Sequence, residues 1–347
     1  MTVACGSASS VADCGAGSRR GLVLALQANF CAVAVEPAGP GGCSRLLCTR
    51  RTRLGKSGLR ICVGDRVRVE AIDWAAGRGA IAALEPRTNL LPRPAVANVS
   101  RIVVVAALRE PGLDPLQLTR FLVTAEATAP AVQLVLSKAD LAPPGEVADW
   151  CARLRGWGYP VQAVSASQGQ GIDELRHFLA EPGIVVTCGP SGVGKSSLLN
   201  ALRPGLDLRT AEVSGRLRRG RHTTRHVELF RLGAALVADS PGFNRPELPE
   251  DPVCLERYFP ELRLRLSRHP CRFRNCRHLG DPGCGMDGPW DRQEIYAHCL
   301  AELEQGRGSD RSRPEQPHQL DPQLRRGSRR SDRQRLAASM QEDTQEP

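Results

Sequence analysis

Lysine is almost missing from this chain. Of its 47 lysine and arginine residues only three are lysines, Lys56, Lys138 and Lys195. Arginine's planar fork suits carboxylates and phosphate backbones, whereas lysine's compact ammonium on a thin stem fits inside a closed phosphate-binding loop. The three that remain therefore mark positions to read closely. Aromatic residues are scarce too, at 4%, which leaves a nucleic-acid surface few platforms for base stacking. No apolar run approaches the roughly 20 residues of a membrane-spanning helix, so no membrane partner is expected. The thirteen cysteines are scattered and odd in number, and no secretory signal pattern is visible. That usage reads as reduced thiols in the cytoplasm.

What is present bounds the rest. A length of 347 residues leaves room for two or three domains, and 41% hydrophobic content supplies ordinary cores. A net charge of +10 with a pI near 9.2 points to a polyanionic partner. Residues 1–20 are small, polar and acid-poor; they read as a disordered leader, although transit peptides share that composition. Residues 306–347 are rich in Arg, Ser, Gln, Asp and Pro, cannot bury a core, and read as a disordered basic tail.

Residues 21–95 read as an all-β unit. Gly21–Val35 alternates about a turn near Ala28-Asn29, Arg45–Thr49 and Arg66–Glu70 follow, and Gly79–Leu84 closes the set. Short strands in that number suit an OB-type β-barrel. Between them Arg50, Arg51, Arg53 and Lys56 occur without an acid. Such a loop can hold an RNA backbone, and it is equally the composition of a solvated loop.

From residue 96 to about 250 the pattern becomes α/β. Apolar strands at Ile102–Ala107, Val132–Leu136, Val161–Val164, Ile184–Cys188, His226–Leu232 and Ala235–Ala238 predict an open, mostly parallel sheet. Helices are predicted near Asp114–Ala127, Gly145–Leu154 and Ile172–Leu179. After Cys188 the run Gly189-Pro190-Ser191-Gly192-Val193-Gly194-Lys195-Ser196-Ser197 fits G-x-x-x-x-G-K-[ST] between a strand and a helix, the context a P-loop requires. Gly192 and Gly194 let consecutive amides point at phosphate oxygens. Lys195 would reach the β- and γ-phosphates and Ser196 would ligate Mg2+.

The strand Val132–Leu136 ends in Ser137-Lys138-Ala139-Asp140, which resembles the Asn-Lys-x-Asp guanine motif of GTPases. There the carboxylate accepts from the guanine N1–H and amine, a donor pair adenine lacks, so Asp140 disfavours ATP. Lys138 would lay its stem along the base. Ser137 replaces the usual asparagine and is too short to make all of its contacts. Ser165-Ala166 matches the short motif whose backbone reads the guanine oxygen. Asp239-Ser240-Pro241-Gly242 fits D-x-x-G, with Asp239 toward Mg2+ and the Gly242 amide toward the γ-phosphate. Gly220-Arg221-His222-Thr223-Thr224-Arg225 supplies Thr223 and Thr224, of which Thr224 is a Mg2+ candidate. The order is base motifs, P-loop, threonine loop, D-x-x-G. Ordinary GTPases begin at the P-loop, so this is a circular permutation, which close chain ends allow.

Within residues 251–305 the run Cys271-x4-Cys276-x-His278-x5-Cys284 offers three thiolates and an imidazole, a set for one structural tetrahedral Zn2+. Arg263, Arg265, Arg268, Arg272, Arg274 and Arg277 crowd it, and Arg272 and Arg274 are the RNA-contact candidates. A helix over Trp290–Leu303 follows.

These motifs in this order resemble the RsgA (YjeQ) family of circularly permuted small-ribosomal-subunit biogenesis GTPases, over about Gly21–Leu303. The resemblance implies a multidomain protein: an N-terminal OB-type barrel, a circularly permuted α/β P-loop GTPase domain and a C-terminal helical zinc-binding module. It implies a monomer that binds GTP and GDP and the 30S ribosomal subunit with its 16S rRNA. It also implies action late in 30S maturation, with hydrolysis stimulated by that particle and timing release. Phe243 stands where many GTPases place a water-orienting glutamine. His222 is the expected substitute, since an imidazole can hold water; packing or an RNA contact is its ordinary alternative. A second reading keeps the RNA-binding assembly role and makes nucleotide turnover incidental.

Overall fold

Alternation writes the first strands. β4 (Arg66–Asp73) runs Arg-Val-Arg-Val-Glu-Ala-Ile-Asp, and its Val67 and Val69 are fully buried while the arginines face out. With β1 (Arg19–Gln27), β2 (Phe30–Glu36), β3 (Arg45–Arg50) and β5 (Arg78–Leu84) it closes in the order β1-β2-β3-β5-β4-β1, where β3 and β5 are parallel. This is the five-stranded OB-type barrel. Its interior holds Val23, Val33, Leu46, Val67, Val69 and Ile81. The computed structural model describes residues 18–27, 29–51, 60–205, 227–239, 246, 248–249, 252–286 and 288–310.

A short hairpin, β6 (Leu90–Pro92) and β7 (Ala95–Ala97), comes next and has no counterpart in the sequence reading. Its strands are too short for alternation to show. Leu91 and Val96 are buried in the core of the α/β sheet, and Asn98 donates from Nδ2 to Gly64 O at 2.8 Å. The hairpin thus stitches the barrel to that sheet.

The α/β part has strands β8 (Val99–Ala107), β9 (Ala131–Ser137), β10 (Val161–Ala163), β11 (Gly183–Cys188), β12 (Glu228–Leu232) and β13 (Ala235–Asp239). Their order is β10-β9-β8-β11-β13-β12, parallel except for β12. In β8, Ile102, Val104 and Ala106 enter one core and Val103, Val105 and Ala107 the other, as expected of a strand covered on both faces. The helices are α1 (Pro115–Thr128), α2 (Pro144–Gly156), α3 (Ile172–Phe178) and α4 (Lys195–Leu202). Asp114 caps α1 by accepting from Leu116 N and Gln117 N, with Pro115 in the first turn. β12 also pairs with β1 at Ala25 and Glu228, and Arg45 meets Glu228 at 2.9 Å. Barrel and α/β sheet are therefore one continuous 11-stranded sheet.

The C-terminal part comprises a 3-10 segment (Pro252–Tyr258), α5 (Pro260–Arg268) and α6 (Gln293–Asp310). Helix α5 went unread in the sequence, although Pro260 and Glu261 form an ordinary helix start. Trp290 does not open a helix as expected; it folds into the core against Tyr296, with Phe259 and with Val123 of α1, before α6 begins. Arg292 is fully buried. Its guanidinium pairs with Glu261 at 2.6 and 2.5 Å and lies between the Trp157 and Phe259 rings, 4.6 and 4.5 Å from their centroids. Beside it Arg153 grips Asp291 at 2.7 Å, and Trp157 Nε1 donates to the same carboxylate at 2.6 Å. Among the described residues no helix is long and apolar enough to cross a membrane, and no cysteine is in a disulfide.

The two ion pairs differ in burial and so in worth. Arg292→Ala strands Glu261 in the core and should cost about 3–5 kcal/mol of stability. Arg153→Ala, at an exposed pair, should cost about 1 kcal/mol or less. Urea unfolding of both variants measures the contrast.

Candidate nucleotide pocket and metal centre

The P-loop lies between β11 and α4, at the centre of the sheet. Gly189 has φ +142°, and a Cβ there would sit 2.0 Å from Val105 O, so only glycine lets the loop pass β8. Gly194, at φ +89°, turns the chain into α4. Lys195 Nζ donates to Gly189 O at 2.8 Å and Pro190 O at 2.7 Å, which holds its ammonium inside the loop. Ser196 and Ser197 occupy the first turn of α4, where free amides and the helix dipole favour an anion. β13 runs parallel to β11, with Val186 opposite Ala238, so the backbone of Asp239 reaches the strand end from which the loop departs. Ser196 offers a hydroxyl at that end, a hard oxygen donor of the kind Mg2+ takes.

The guanine-motif residues come from the neighbouring strand ends. Ser137, Lys138, Asp140 and Ala166 line one cavity of about 300 Å3, together with Gly194 and Ser197 of the P-loop. The two base-side motifs and the end of the P-loop therefore share one cavity. The short side chain at 137 is not a gap. Ser137 Oγ lies 3.0 Å from Ala106 O and 2.5 Å from Val193 O, so its one proton ties the base-side loop to β8 or to the P-loop. Lys138 Nζ donates to Glu110 O at 2.5 Å, and its Cε lies over Gly194. Ser165 sits just behind the cavity, 3.0 Å from Ser167 Oγ, which in turn donates to Asp140 Oδ2 at 3.2 Å. The Ser165 hydroxyl, then Asp140's own amide, Ser167 and Lys138, hold the Asp140 carboxyl below the usual carboxylate range. It is a fixed anion at neutral pH.

The second cluster is Cys271, Cys276, His278 and Cys284, whose ligand atoms all lie within 4.8 Å of one another. Zinc–sulfur bonds of about 2.3 Å at tetrahedral angles put sulfurs about 3.8 Å apart. Cys271 and Cys284 Sγ are 4.0 Å apart, and His278 Nδ1 lies 3.5 and 3.6 Å from them. The set fits one Zn2+, with no ligand position left for chemistry. Gly285 N and Met286 N donate to Cys271 Sγ and Cys284 Sγ, as suits thiolates. His278 Nε2 meets Glu256 Oε2 at 2.6 Å; that carboxylate keeps the proton on Nε2 and leaves Nδ1 free to bind metal. Glu256, Glu110 and Ser167 were not singled out in the sequence, and nothing local to them signals these contacts. Backbone geometry does: of the five non-glycine residues with positive φ among the described residues, Glu110, Lys138 and His278 belong to these two sites.

The family model described as RsgA GTPase matches residues 84–249. A relative from Synechococcus sp. (strain CC9311), named small ribosomal subunit biogenesis GTPase RsgA, is 56% identical over 287 residues, covering 82% of this chain and 94% of its own length. The chain belongs to the RsgA family. It is a GTPase. The same fold is seen in YjeQ from Thermotoga maritima, 32% identical with a TM-score of 0.69, over 83% of this chain and 99% of that one. YloQ, described as a circularly permuted GTPase, is 27% identical with a TM-score of 0.68, over 86% and 98%. The strand order and motif order above are the permuted RsgA arrangement.

Several expected residues of this RsgA-family chain lie outside the described residues: His222, Thr223, Thr224, Gly242, Arg53 and Lys56, with the side chain of Asp239. Of the arginine candidates, Arg51 is paired with Glu70 at 3.0 Å, a carboxylate that sequence distance hid. Arg50 is exposed at the end of β3, and Arg272 and Arg274 are exposed beside the cysteine cluster. Glu256→Ala should weaken Zn2+ binding about 10- to 100-fold, because the imidazole loses its orienting partner. Chelator competition on the intact chain reads that loss, with Cys284→Ser as the variant that loses a ligand outright.

Proposed function

We propose that the cavity takes GTP with its guanine at Asp140 and Ala166 and its phosphates in the loop from Gly189 to Ser197, and that the enzyme serves assembly of the 30S ribosomal subunit. The observation that carries the nucleotide reading is the shared lining: Asp140 and Ser197 face one space, although 57 positions separate them in the chain. Asp140 accepts from guanine N1–H and the amine, the Ser165–Ala166 backbone reads the guanine oxygen, and Lys138 lies along the base. Gly192, Val193 and Gly194 supply amides, and Lys195 leaves its loop carbonyls for phosphate oxygens. Mg2+ held by Ser196, Thr224 and Asp239 would offset charge on the β- and γ-phosphates. Thr223 and the Gly242 amide contact the γ-phosphate side, and His222 orients the attacking water.

The biogenesis role rests on the relatives' name, small ribosomal subunit biogenesis GTPase, and on a net charge of +10. In this reading the protein is a cytoplasmic monomer that grips 16S rRNA through Arg50, Arg51, Arg53 and Lys56 of an OB domain (21–95) and through Arg272 and Arg274 of the zinc module (251–305). The GTPase domain (96–250) lies between them, and the leader (1–20) and basic tail (306–347) flank the whole. Docking late in 30S maturation stimulates hydrolysis, and hydrolysis times release.

Two measurements test this. Asp140→Asn turns one acceptor oxygen into an NH2 that opposes a guanine N–H and takes the charge off the other, where each charged hydrogen bond is worth about 1.5–3 kcal/mol, so GTP affinity should fall about 100-fold or more. XTP, which carries a carbonyl in place of the guanine amine, should gain affinity, and a variant with unchanged GTP binding would refute the pocket assignment. GTP turnover measured with and without 30S subunits should show stimulation that falls steeply as salt rises. His222→Ala should spare GTP binding and lower the stimulated rate about 100-fold or more; an unchanged stimulated rate removes His222 from catalysis.

A further inference from the structure

The chain has few aromatic side chains, and almost all of those described are at least partly buried. Phe273 is the exception. It is 50% exposed, the one openly exposed aromatic among the described residues. It sits in the loop between two ligand cysteines, Cys271 and Cys276. Cys276 N donates to Phe273 O at 3.4 Å, and Arg272 N donates to Gly283 O at 2.9 Å. A Cβ on Gly283 would lie 3.0 Å from Arg272 Cβ, so the two sides of the module are packed tightly there. The ring is therefore presented from a short turn anchored at both ends by the cysteine cluster.

Arg272 and Arg274 flank Phe273 and are exposed, as are Arg265 and Arg268 on α5. Among the described residues no carboxylate pairs with any of these four, whereas the neighbouring Arg263 and Arg277 pair with Glu126 and Glu304. The Arg272 guanidinium carbon lies 5.5 Å from the centroid of the Phe273 ring. An exposed apolar ring beside an arginine plane, within unpaired positive charge, is what a nucleotide base with its flanking phosphates fits. A double helix hides its base faces, so the complementary ligand is unpaired.

Resting on the reading of the zinc module as an rRNA contact, we infer that Phe273 is a stacking platform for an unpaired RNA base, with Arg272 and Arg274 holding the phosphates on either side. The module then recognises single-stranded RNA through base faces and not only through backbone charge. The stacking is indifferent to base identity, because every base has a π-face.

The test uses the full chain loaded with zinc and two fluorescein-labelled RNAs, a mixed-sequence single-stranded decamer and the same sequence closed into a hairpin duplex. Phe273→Leu keeps apolar bulk and removes the aromatic face. It should weaken single-strand binding about tenfold, leave the duplex and the slope of log K against log salt unchanged, and be rescued by Phe273→Trp. Arg272→Ala and Arg274→Ala should each flatten the single-strand slope by about 0.7. Zinc content equal to the parent's certifies the fold of each variant. Unchanged single-strand binding by Phe273→Leu, or equal loss on the duplex, overturns the stacking. Flattened slopes beside a silent Phe273→Leu sink the stacking alone; unchanged slopes in the arginine variants sink the rRNA reading of the module itself. Weaker binding of Phe273→Leu to intact 30S subunits with unchanged decamer binding would assign the face to a protein, which also overturns the proposal.

Discussion

One hydroxyl joins the two halves of the pocket. β9 and β11 are not neighbours; β8 lies between them. Ser137, at the end of β9, reaches a carbonyl of β8 and a carbonyl of the P-loop. Lys138 reinforces the link by lying over Gly194 and donating to Glu110 on the loop after β8. The loop after β9 and the P-loop are thereby held close, by a buried hydroxyl that can donate to one or the other carbonyl and by a half-buried ammonium on a backbone carbonyl. Under the proposed GTP reading, a nucleotide would meet a preorganised gap and would not have to assemble it. The longer asparagine usual at this motif position is not needed, because the P-loop carbonyl is already within reach of serine.

Permutation leaves this geometry intact, since a parallel sheet needs its strands side by side and not in any chain order. It changes what hangs from the pocket. β12 and β13 form the hairpin that comes after the threonine loop and carries Asp239. β12 is bonded on its other edge to the barrel, at Ala25 and through Arg45 to Glu228. β13 leads toward the 3-10 segment whose Glu256 meets His278 of the candidate metal cluster. One hairpin of the GTPase thus touches the barrel directly and is followed in the chain by the segment that carries Glu256. Arg292 and Arg153, buried and exposed versions of the same contact, clamp that module onto Trp157 and the end of α2.

Much of this was legible in the residues because it is written locally. The barrel strands alternate, the P-loop is a contiguous string, and three cysteines and a histidine fall within a short run. What escaped is held by distance. Glu256 is unremarkable beside its own neighbours and matters only because the chain returns His278 to it. Helix α5 was masked by its arginines, whose crowding read as an RNA surface before it read as a helix. The helix expected from Trp290 starts only at Gln293, because Trp290 packs against Phe259 and Tyr296 in the core. The paired state of Arg51 and Arg277 is tertiary in the same way: spatially close carboxylates from Glu70 and Glu304 come from elsewhere in the chain.

The scarcity of lysine gives the pocket an unusual chemical address. Two of the three side-chain amines, Lys138 in the cavity lining and Lys195 in the adjoining P-loop, hold their ammonium groups on backbone carbonyls. Acylating reagents that ignore guanidinium groups will therefore find few targets on a surface crowded with positive charge. Under the proposed GTP reading, their uptake at these two positions would be a direct footprint of whether a nucleotide is in residence.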